Sequence, residues 1–294
     1  MRVTDRMIFD SASVSSGRAR DEVQAATNES SSGIKLTHPG DDPAAAGQLV
    51  SRQLSQSRFG AMVASADAAS QSLRTADNAM QSVSDTLARA RELAVQLSND
   101  TADAGMRSAG AAEMKGLVQS MVSALNLRSG DKYLFGGFAD DKPPYDANGV
   151  YQGDAGVRQL EVAPGLTTNV SVRADVAISG ANGGVDILAT LQGLATAMGT
   201  NDAAAIKGSL DNLDKGTTQL ATARAAAGAA VGTLDAASSV ARSAQGSEKN
   251  AIVGLQDADA ISSATRLALA QRALEASISA ATQSFKLTLL DSIR

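Results

Sequence analysis

The fold is decided by Leu73–Leu97, where the chain reads LRTADNAMQSVSDTLARARELAVQL. Its apolar residues alternate between spacings of three and four, as the core-facing positions of a coiled coil do. They are Leu73, Ala76, Met80, Val83, Leu87, Ala90, Ala94 and Leu97. This stretch therefore predicts a long helix that packs along a narrow seam against other helices.

Two further runs have a related spacing. One follows a break at NDTADAG and contains Met114, Leu117, Met121 and Ala124. In the other, apolar residues recur every seven positions, at Ile206, Leu213, Leu220, Ala227 and Leu234. Gly228 and Gly232 lie in this last run, and each costs a helix about 1 kcal/mol relative to Ala. We therefore expect another helix to approach closely at these glycines.

Composition limits the classes of protein that fit. The 294 residues are 44% hydrophobic but only 3% aromatic, which favours closely packed helices over a wide interior. The net charge of -5 is scattered and no basic cluster occurs, so nucleic acid is not an expected partner. The chain has no Cys and no apolar run of about 18 residues, and its start, MRVTDRMIFDSAS, lacks the apolar core of a secretory signal. We expect no disulfide, no membrane insertion and no cleaved signal peptide.

The middle of the chain has a different pattern. From Tyr133 to Gly184 the helical period fades, and Val170 and Val172 with their β-branched neighbours predict a strand. The predicted fold is mainly α with a small β insertion: an elongated antiparallel helical bundle or coiled coil built from both chain ends, with a central β-rich outer domain. The expected segments are an N-terminal helix (1–40), a first bundle half (41–130), the β-rich insertion (131–195), a second bundle half (196–254) and a C-terminal helix (255–294).

Both chain ends carry apolar residues on more than one helix face. A helix of this kind needs more than one neighbour, so the ends look incomplete in a monomer. We expect them to form a seam between subunits. The predicted seam residues are Met7, Val14, Leu267, Leu274, Ile278, Phe285, Leu289 and Leu290.

The stretch SSGIKLTHPGDDPAAAG, residues 31–47, offers possible chemistry because it holds His38, Asp41 and Asp42. A short turn supplies too few oxygens for calcium, and catalysis needs a histidine that a third group holds in place. The alternative is mechanical: Asp42 is a good N-cap residue and Pro43 suits the first position of a helix. We expect a turn followed by a capped helix.

Two other patterns are weaker candidates. The loop SGANGG, residues 179–184, lacks the strand, helix and Gly-Lys-Ser/Thr that phosphate binding requires. Four acids of the insertion could provide a glycosidase-like carboxylate pair, although acids among turn residues are usually solvated. They are Asp140, Asp141, Asp146 and Asp154. We predict no enzyme, no cofactor and no metal site, with an enzyme in the insertion as an alternative.

Several blocks, in order along the chain, together resemble the flagellin superfamily, and within it the hook-associated proteins. The resemblance covers nearly the full length, although His38 and the short insertion depart from the usual pattern. The blocks are MRVTDRMIFD at the start, SSGIKLTHPGDDPAAAG at 31–47, YLFGGF at 133–138 with YQGDAGVRQLEV at 151–162, and the tail from DADAISS at 257.

The resemblance implies a structural subunit of the bacterial flagellum that joins hook to filament. It also implies export through the flagellar type III apparatus without a cleaved signal, and assembly outside the cell through the terminal helices. The implied partners are other copies of the chain, a first hook-associated protein, flagellin, and a cytosolic export chaperone at the C-terminus. A minor flagellin of the filament and, from another class, a soluble coiled-coil adaptor stay open as alternatives.

Overall fold

Long helices dominate the computed structural model, which describes residues 2–163 and 165–292, with side chains over 7, 9–163 and 165–283. In these residues seven α-helices are present: α1 Arg2–Ser32, α2 Pro43–Leu97, α3 Ala104–Leu125, α4 Ala174–Ala177, α5 Ile187–Gly199, α6 Ala203–Gln256 and α7 Ala260–Ser292. The strands, between α3 and α4, are β1 Arg128–Ser129, β2 Lys132–Tyr133, β3 Gln159–Ala163 and β4 Leu166–Asn169. The predicted class, mainly α with a small β insertion, is confirmed.

The chain forms two compact units. One contains Met1–Arg58 and Ala244–Arg294, and the other contains Phe59–Ser243. The first unit therefore combines the two chain ends. The second holds the insertion, the C-terminal part of α2 and the N-terminal part of α6. The division into five segments expected from the sequence stays a prediction.

Heptad residues form the core of the second unit. All eight seam residues predicted between Leu73 and Leu97 are buried. Leu213, Leu220 and Leu234 of α6 belong to the same apolar cluster. Full burial of a leucine side chain stabilises a fold by roughly 1.5–3 kcal/mol, so this seam is the main source of stability in the unit.

A buried arginine closes the end of α2. The guanidinium of Arg107 donates hydrogen bonds to the carbonyl oxygens of Leu97 at 2.9 Å and Asn99 at 3.0 Å. It also donates to the Asn201 side-chain oxygen at 2.6 Å. The last carbonyls of a helix lack partners within the helix, and a cation there also meets the negative end of the helix dipole. Arg107 therefore ties the end of α2 to the start of α3 and to the turn between α5 and α6.

The insertion contains an antiparallel hairpin that is shorter than predicted. β3 pairs with β4, with Leu160 opposite Thr168. Because β4 ends at Asn169, the prediction that Val170 and Val172 belong to a strand is wrong. The Arg158 N–H donates to the Ser171 hydroxyl at 2.9 Å instead of to a backbone carbonyl, and Val172 is buried in the core.

The expected close approach at two glycines of α6 is also wrong. A Cβ atom added to Gly228 or Gly232 would meet no atom of the described residues within 4 Å. Close packing occurs instead at Gly216, where an added Cβ would lie 3.1 Å from Cγ1 of Ile187 in α5. The glycine that permits close packing therefore lies about two heptads nearer the start of α6.

In the first unit, α1 packs against α7. Small side chains are buried in this unit, namely those of Ala26, Ser263 and Ala270. Arg266 of α7 forms ion pairs with Glu22 at 2.9 Å and with Glu29 at 3.0 Å. Packing of small buried residues and the ion pairs of Arg266 thus hold the two terminal helices together.

The linkers beside these helices are also joined. Ile34 and Asp257 form an antiparallel bridge. The Lys35 N–H donates to the Gln256 carbonyl at 2.8 Å, and the Ala258 N–H donates to the Gly33 carbonyl at 2.9 Å. Gly33 adopts a φ of 68°, which glycine tolerates without strain. The segment that leaves α1 therefore runs beside the segment that enters α7. Over the ranges described, no helix is both long and apolar enough to cross a membrane.

Candidate assembly surface

The turn before α2 has the geometry of a helix cap. α2 begins at Pro43, and the Asp42 carboxylate accepts hydrogen bonds from the backbone N–H groups of Ala44 at 3.1 Å and Ala45 at 3.0 Å. These N–H groups have no carbonyl partner within the helix, so the carboxylate satisfies two of them.

His38 and Asp41 close the turn that precedes the cap. The His38 N–H donates to the Asp41 carboxylate at 2.8 Å, and the Asp41 N–H donates to the His38 carbonyl at 3.0 Å. The first of these bonds holds the pKa of Asp41 below its ordinary value. The His38 side chain is mostly exposed. In the residues that the structure describes, no group of three or more His, Cys, Asp or Glu could hold a metal ion. These residues fix the path of the backbone.

The first acid of the insertion is held by cations. Asp140 forms ion pairs with Lys132 at 3.0 Å and Arg158 at 2.7 Å. The hydrogen bond from Lys132 is the main reason that the pKa of Asp140 is lowered, and the charge of Arg158 adds to it. A general acid in glycoside hydrolysis needs a raised pKa, so Asp140 is poorly suited to that role.

A second acid, Asp154, organises the loop around it. Its carboxylate accepts backbone hydrogen bonds from Phe138 at 2.8 Å, Ala139 at 3.1 Å and Gly156 at 2.7 Å. These bonds, led by the one from Phe138, lower the pKa of Asp154. Asp146 also accepts backbone hydrogen bonds within its own turn. The carboxylates therefore act as structural acceptors.

The predicted seam residues fall into three groups. Met7, Val14 and Ile278 are 66%, 52% and 44% exposed, respectively. Leu267 and Leu274 are half-buried, and they share heptad spacing with the buried Ala270 and Ser263. Phe285, Leu289 and Leu290 have side chains outside the described residues. The exposed members are thus available to a neighbouring molecule, whereas Leu267 and Leu274 are already partly covered within the chain.

Three large apolar residues that are exposed on the terminal helices escaped the sequence prediction, namely Phe9 on α1 and Ile261 and Leu269 on α7. The two on α7 are more than half exposed. They lie outside the heptad row that contains Leu267 and Leu274, so a search for one periodic row passes over them. We use the term terminal apolar surface for the exposed side chains of Met7, Val14, Ile261, Leu269 and Ile278.

The N-terminal part of the sequence matches a known protein family. The model of the bacterial flagellin N-terminal helical region matches residues 6–137. This match covers α2 and α3 as well as most of α1, which is a little under half of the 294 residues. Over this region the chain is similar to bacterial flagellin.

Two kinds of relative agree with this similarity. The chain is 24% identical over 155 residues to flagellar hook-associated protein 3 of Salmonella typhimurium, covering 52% of this chain and 49% of the relative. It spans about half the length of the curated relatives it matches.

Solved structures support the fold. A putative flagellar hook-associated protein from Vibrio parahaemolyticus has a TM-score of 0.67 at 20% identity, covering 73% of this chain and 99% of that one. FlgL from Xanthomonas campestris has a TM-score of 0.59 at 20% identity, covering 69% and 98%, respectively. The chain therefore has the fold of these flagellar proteins.

Proposed function

We propose that the protein is a structural subunit of the hook-filament junction of the bacterial flagellum, and that it polymerises through its terminal helices. The supporting observation is the terminal apolar surface, because it lies on both α1 and α7 after these two helices have packed together. Large apolar side chains that stay exposed on both paired helices favour contact with another molecule.

Assembly with other copies would cover this surface. Burying a large apolar side chain is worth roughly 1.5–3 kcal/mol, so several such residues per subunit give a substantial driving force for polymerisation. The half-buried Leu267 and Leu274 provide the pairing of α1 with α7, and the exposed Met7, Val14 and Ile278 face the next subunit. The first unit, Met1–Arg58 with Ala244–Arg294, would therefore be the part of the chain that contacts neighbouring subunits.

The names of the relatives favour a junction protein over a filament protein. Those matched here are called flagellar hook-associated proteins, which favours the junction over the alternative of a minor flagellin. The implied axial partners are a first hook-associated protein on the hook side and flagellin on the filament side. A count of subunits per flagellum separates the two functions, because a junction protein stays at a small fixed number while a minor flagellin increases with filament length.

The remaining parts of the proposal concern export. The chain would leave the cell through the flagellar type III apparatus, with a cytosolic chaperone bound at residues 255–294 until then, and would act outside the cell without catalysing a reaction. Deletion of the export apparatus should abolish the appearance of the chain in the medium. Continued secretion in such a strain would argue against this route.

Charge placed on the terminal apolar surface tests polymerisation. Ile278→Asp and Leu269→Asp should prevent filament attachment in a bacterium that lacks its own junction protein, because assembly would bury an unpaired charge. Both residues are exposed in the chain itself, so helicity and secretion should persist. Leu274→Asp is a less specific variant, because Leu274 is half-buried within the chain and its replacement also weakens the pairing of α1 with α7.

A matched control uses an exposed valine elsewhere. Val95 of α2 lies in the second unit, and Val95→Asp introduces the same charge there. We expect Val95→Asp to support filament attachment at the wild-type level. Normal attachment with Ile278→Asp and Leu269→Asp would contradict the proposal that these side chains face another subunit.

A further inference from the structure

A short sequence occurs twice in the second unit, once on each of its two longest helices. Residues 67–74 of α2 read DAASQSLR, and residues 235–242 of α6 read DAASSVAR. Both segments place an Asp, a Ser three positions later and an Arg four positions after the Ser. We call them the DAAS segments.

The first set of contacts joins the acid of α2 to the base of α6. The Ser238 hydroxyl donates to Oδ1 of Asp67 at 2.7 Å, and the Arg242 Nε–H donates to the Ser238 oxygen at 3.2 Å. Arg242 also forms an ion pair with Oδ2 of Asp67. One carboxylate therefore receives both the hydroxyl and the guanidinium of the other DAAS segment.

The second set repeats the first with the helices exchanged. The Ser70 hydroxyl donates to Oδ1 of Asp235 at 2.9 Å, and the Arg74 Nε–H donates to Ser70 at 3.3 Å. Arg74 also donates to Oδ2 of Asp235 at 2.5 Å. Each segment thus recognises its own copy in an antiparallel arrangement, as in an isologous contact.

The apolar seam between α2 and α6 repeats every seven residues on both helices. Its buried residues are Ala66, Leu73, Met80, Leu87 and Ala94 on α2, and Leu213, Leu220, Ala227, Leu234 and Ala241 on α6. If one helix slides past the other by seven residues, apolar residues still meet apolar residues. The seam therefore discriminates weakly against a slip of one heptad.

The charges oppose a slip of one heptad, because Asp and Arg are also seven residues apart in each DAAS segment. A slip of one heptad in one direction brings Asp235 opposite Asp67. A slip in the other direction brings Arg242 opposite Arg74. We propose that the two DAAS segments form a self-complementary recognition motif that selects the register of α2 against α6 by opposing like charges in both slipped registers.

Two further ion pairs extend this pattern. Asp77 of α2 pairs with Arg224 at 2.9 Å, and Arg91 of α2 pairs with Asp214 at 2.6 Å. Along α2 the sign of the charge therefore alternates, and along α6 it alternates in the opposite sense. Exposed ion pairs add little to stability, whereas charged pairs along a helical seam are effective in choosing partner and register.

The register can be measured as a distance between two spin labels. The wild-type chain has no Cys, so labels attach only where a Cys is introduced. Ala88→Cys on α2 and Ala229→Cys on α6 are suitable because both sites are exposed. A slip of seven residues moves one helix past the other by about 10 Å, which is readily resolved by pulsed electron resonance.

The decisive variant reverses the charges of one segment in the full-length labelled chain. Asp67→Arg with Arg74→Asp opposes like charges in the native register and opposite charges in both slipped registers. After refolding, we expect this variant to show label distances displaced from the wild-type value. Adding Asp235→Arg with Arg242→Asp again places opposite charges across from each other in the native register, at the same net charge and composition. The fourfold variant should therefore return to the single wild-type distance.

The outcomes show whether the DAAS segments select the register or whether other contacts do. A wild-type distance in the twofold variant, or a displaced distance in the fourfold variant, would overturn the proposal. If the twofold variant does not fold, the fourfold variant decides: recovery of the wild-type distance supports register selection, and failure to recover it refutes register selection. Assembly does not enter this test, so the proposal stands or falls separately from the proposed function.

Discussion

Replacing Arg107 by Met removes the one buried charged side chain among the described residues. The change deletes three hydrogen bonds to oxygens at the end of α2 and in the turn before α6. A hydrogen bond from a charged donor contributes about 1.5 kcal/mol or more, which gives roughly 4–5 kcal/mol for the set. Removing the desolvated charge offsets part of this loss, since burying an ion is itself costly. We expect a net loss of about 3 kcal/mol in the free energy of unfolding of the second unit.

Tyrosine fluorescence during urea unfolding measures this loss. Tyr133, Tyr145 and Tyr151 all lie in the second unit and the sequence has no other Tyr and no Trp, so the signal follows that unit alone. Lys115→Met is the matched control, because Lys115 is an exposed cation on the same helix. Its replacement should change stability by no more than about 0.5 kcal/mol.

A lysine at position 107 provides an internal comparison. Arg107→Lys keeps the charge but loses the planar fork that reaches three acceptors, so its stability should lie between those of the wild type and Arg107→Met. The reasoning is refuted if Arg107→Met costs less than about 1 kcal/mol, because the three hydrogen bonds would then not hold the end of α2.

Three other substitutions have defined outcomes. The lowered pKa of Asp154 stabilises the fold above its unfolded value of about 3.9 and loses that effect as the pH falls through the folded value, so the urea midpoint of Asp154→Asn should fall less steeply in acid than that of the wild type. Burial raises the pKa of Tyr151 to about 12, so its stabilising effect is complete below pH 10 and lost as the pH rises toward 12; Tyr151→Phe should remove an ultraviolet titration step near pH 12. Gly228→Ala should raise the free energy of unfolding by about 1 kcal/mol, because the new methyl group meets open space, and a lower urea midpoint would contradict this.

The helical part of the fold was predictable because its signal is periodic and local. The spacing from Leu73 to Leu97 identified residues that are all buried, and the break at NDTADAG lies where α2 ends and α3 begins. The spacing of apolar residues by three and four positions is enough to predict such a helix.

The insertion was less predictable because distant contacts decide it. Val170 and Val172 have the β-branched side chains of a strand, but the Ser171 hydroxyl takes the place of a backbone carbonyl and ends the pairing. The packing at Gly216 depends on Ile187, which is distant in sequence, so no local pattern distinguishes this glycine from Gly228.

The polar organisation was hardest to predict, although one signal was present. The two DAAS segments are visible as a repeat in the sequence, but their partners depend on the antiparallel pairing of α2 and α6. For Arg107 there was no comparable signal, because an arginine early in a helix is usually exposed and only the turn that contains Asn201 completes its surroundings. Along the terminal helices, periodicity identified one row of apolar residues but not Ile261 and Leu269, which lie outside that row.

The pair of backbone hydrogen bonds beside Ile34 and Asp257 gives the chain a directional mechanical response. Tension that pulls α1 and α7 away from this bridge in the same direction travels along two covalent backbones and leaves the hydrogen bonds unloaded. Shear that drags one of these helices lengthwise past the other loads both hydrogen bonds at once, so the bridge resists sliding until both break. The bridge therefore opposes lengthwise sliding of the two terminal helices and carries little load when both are pulled together.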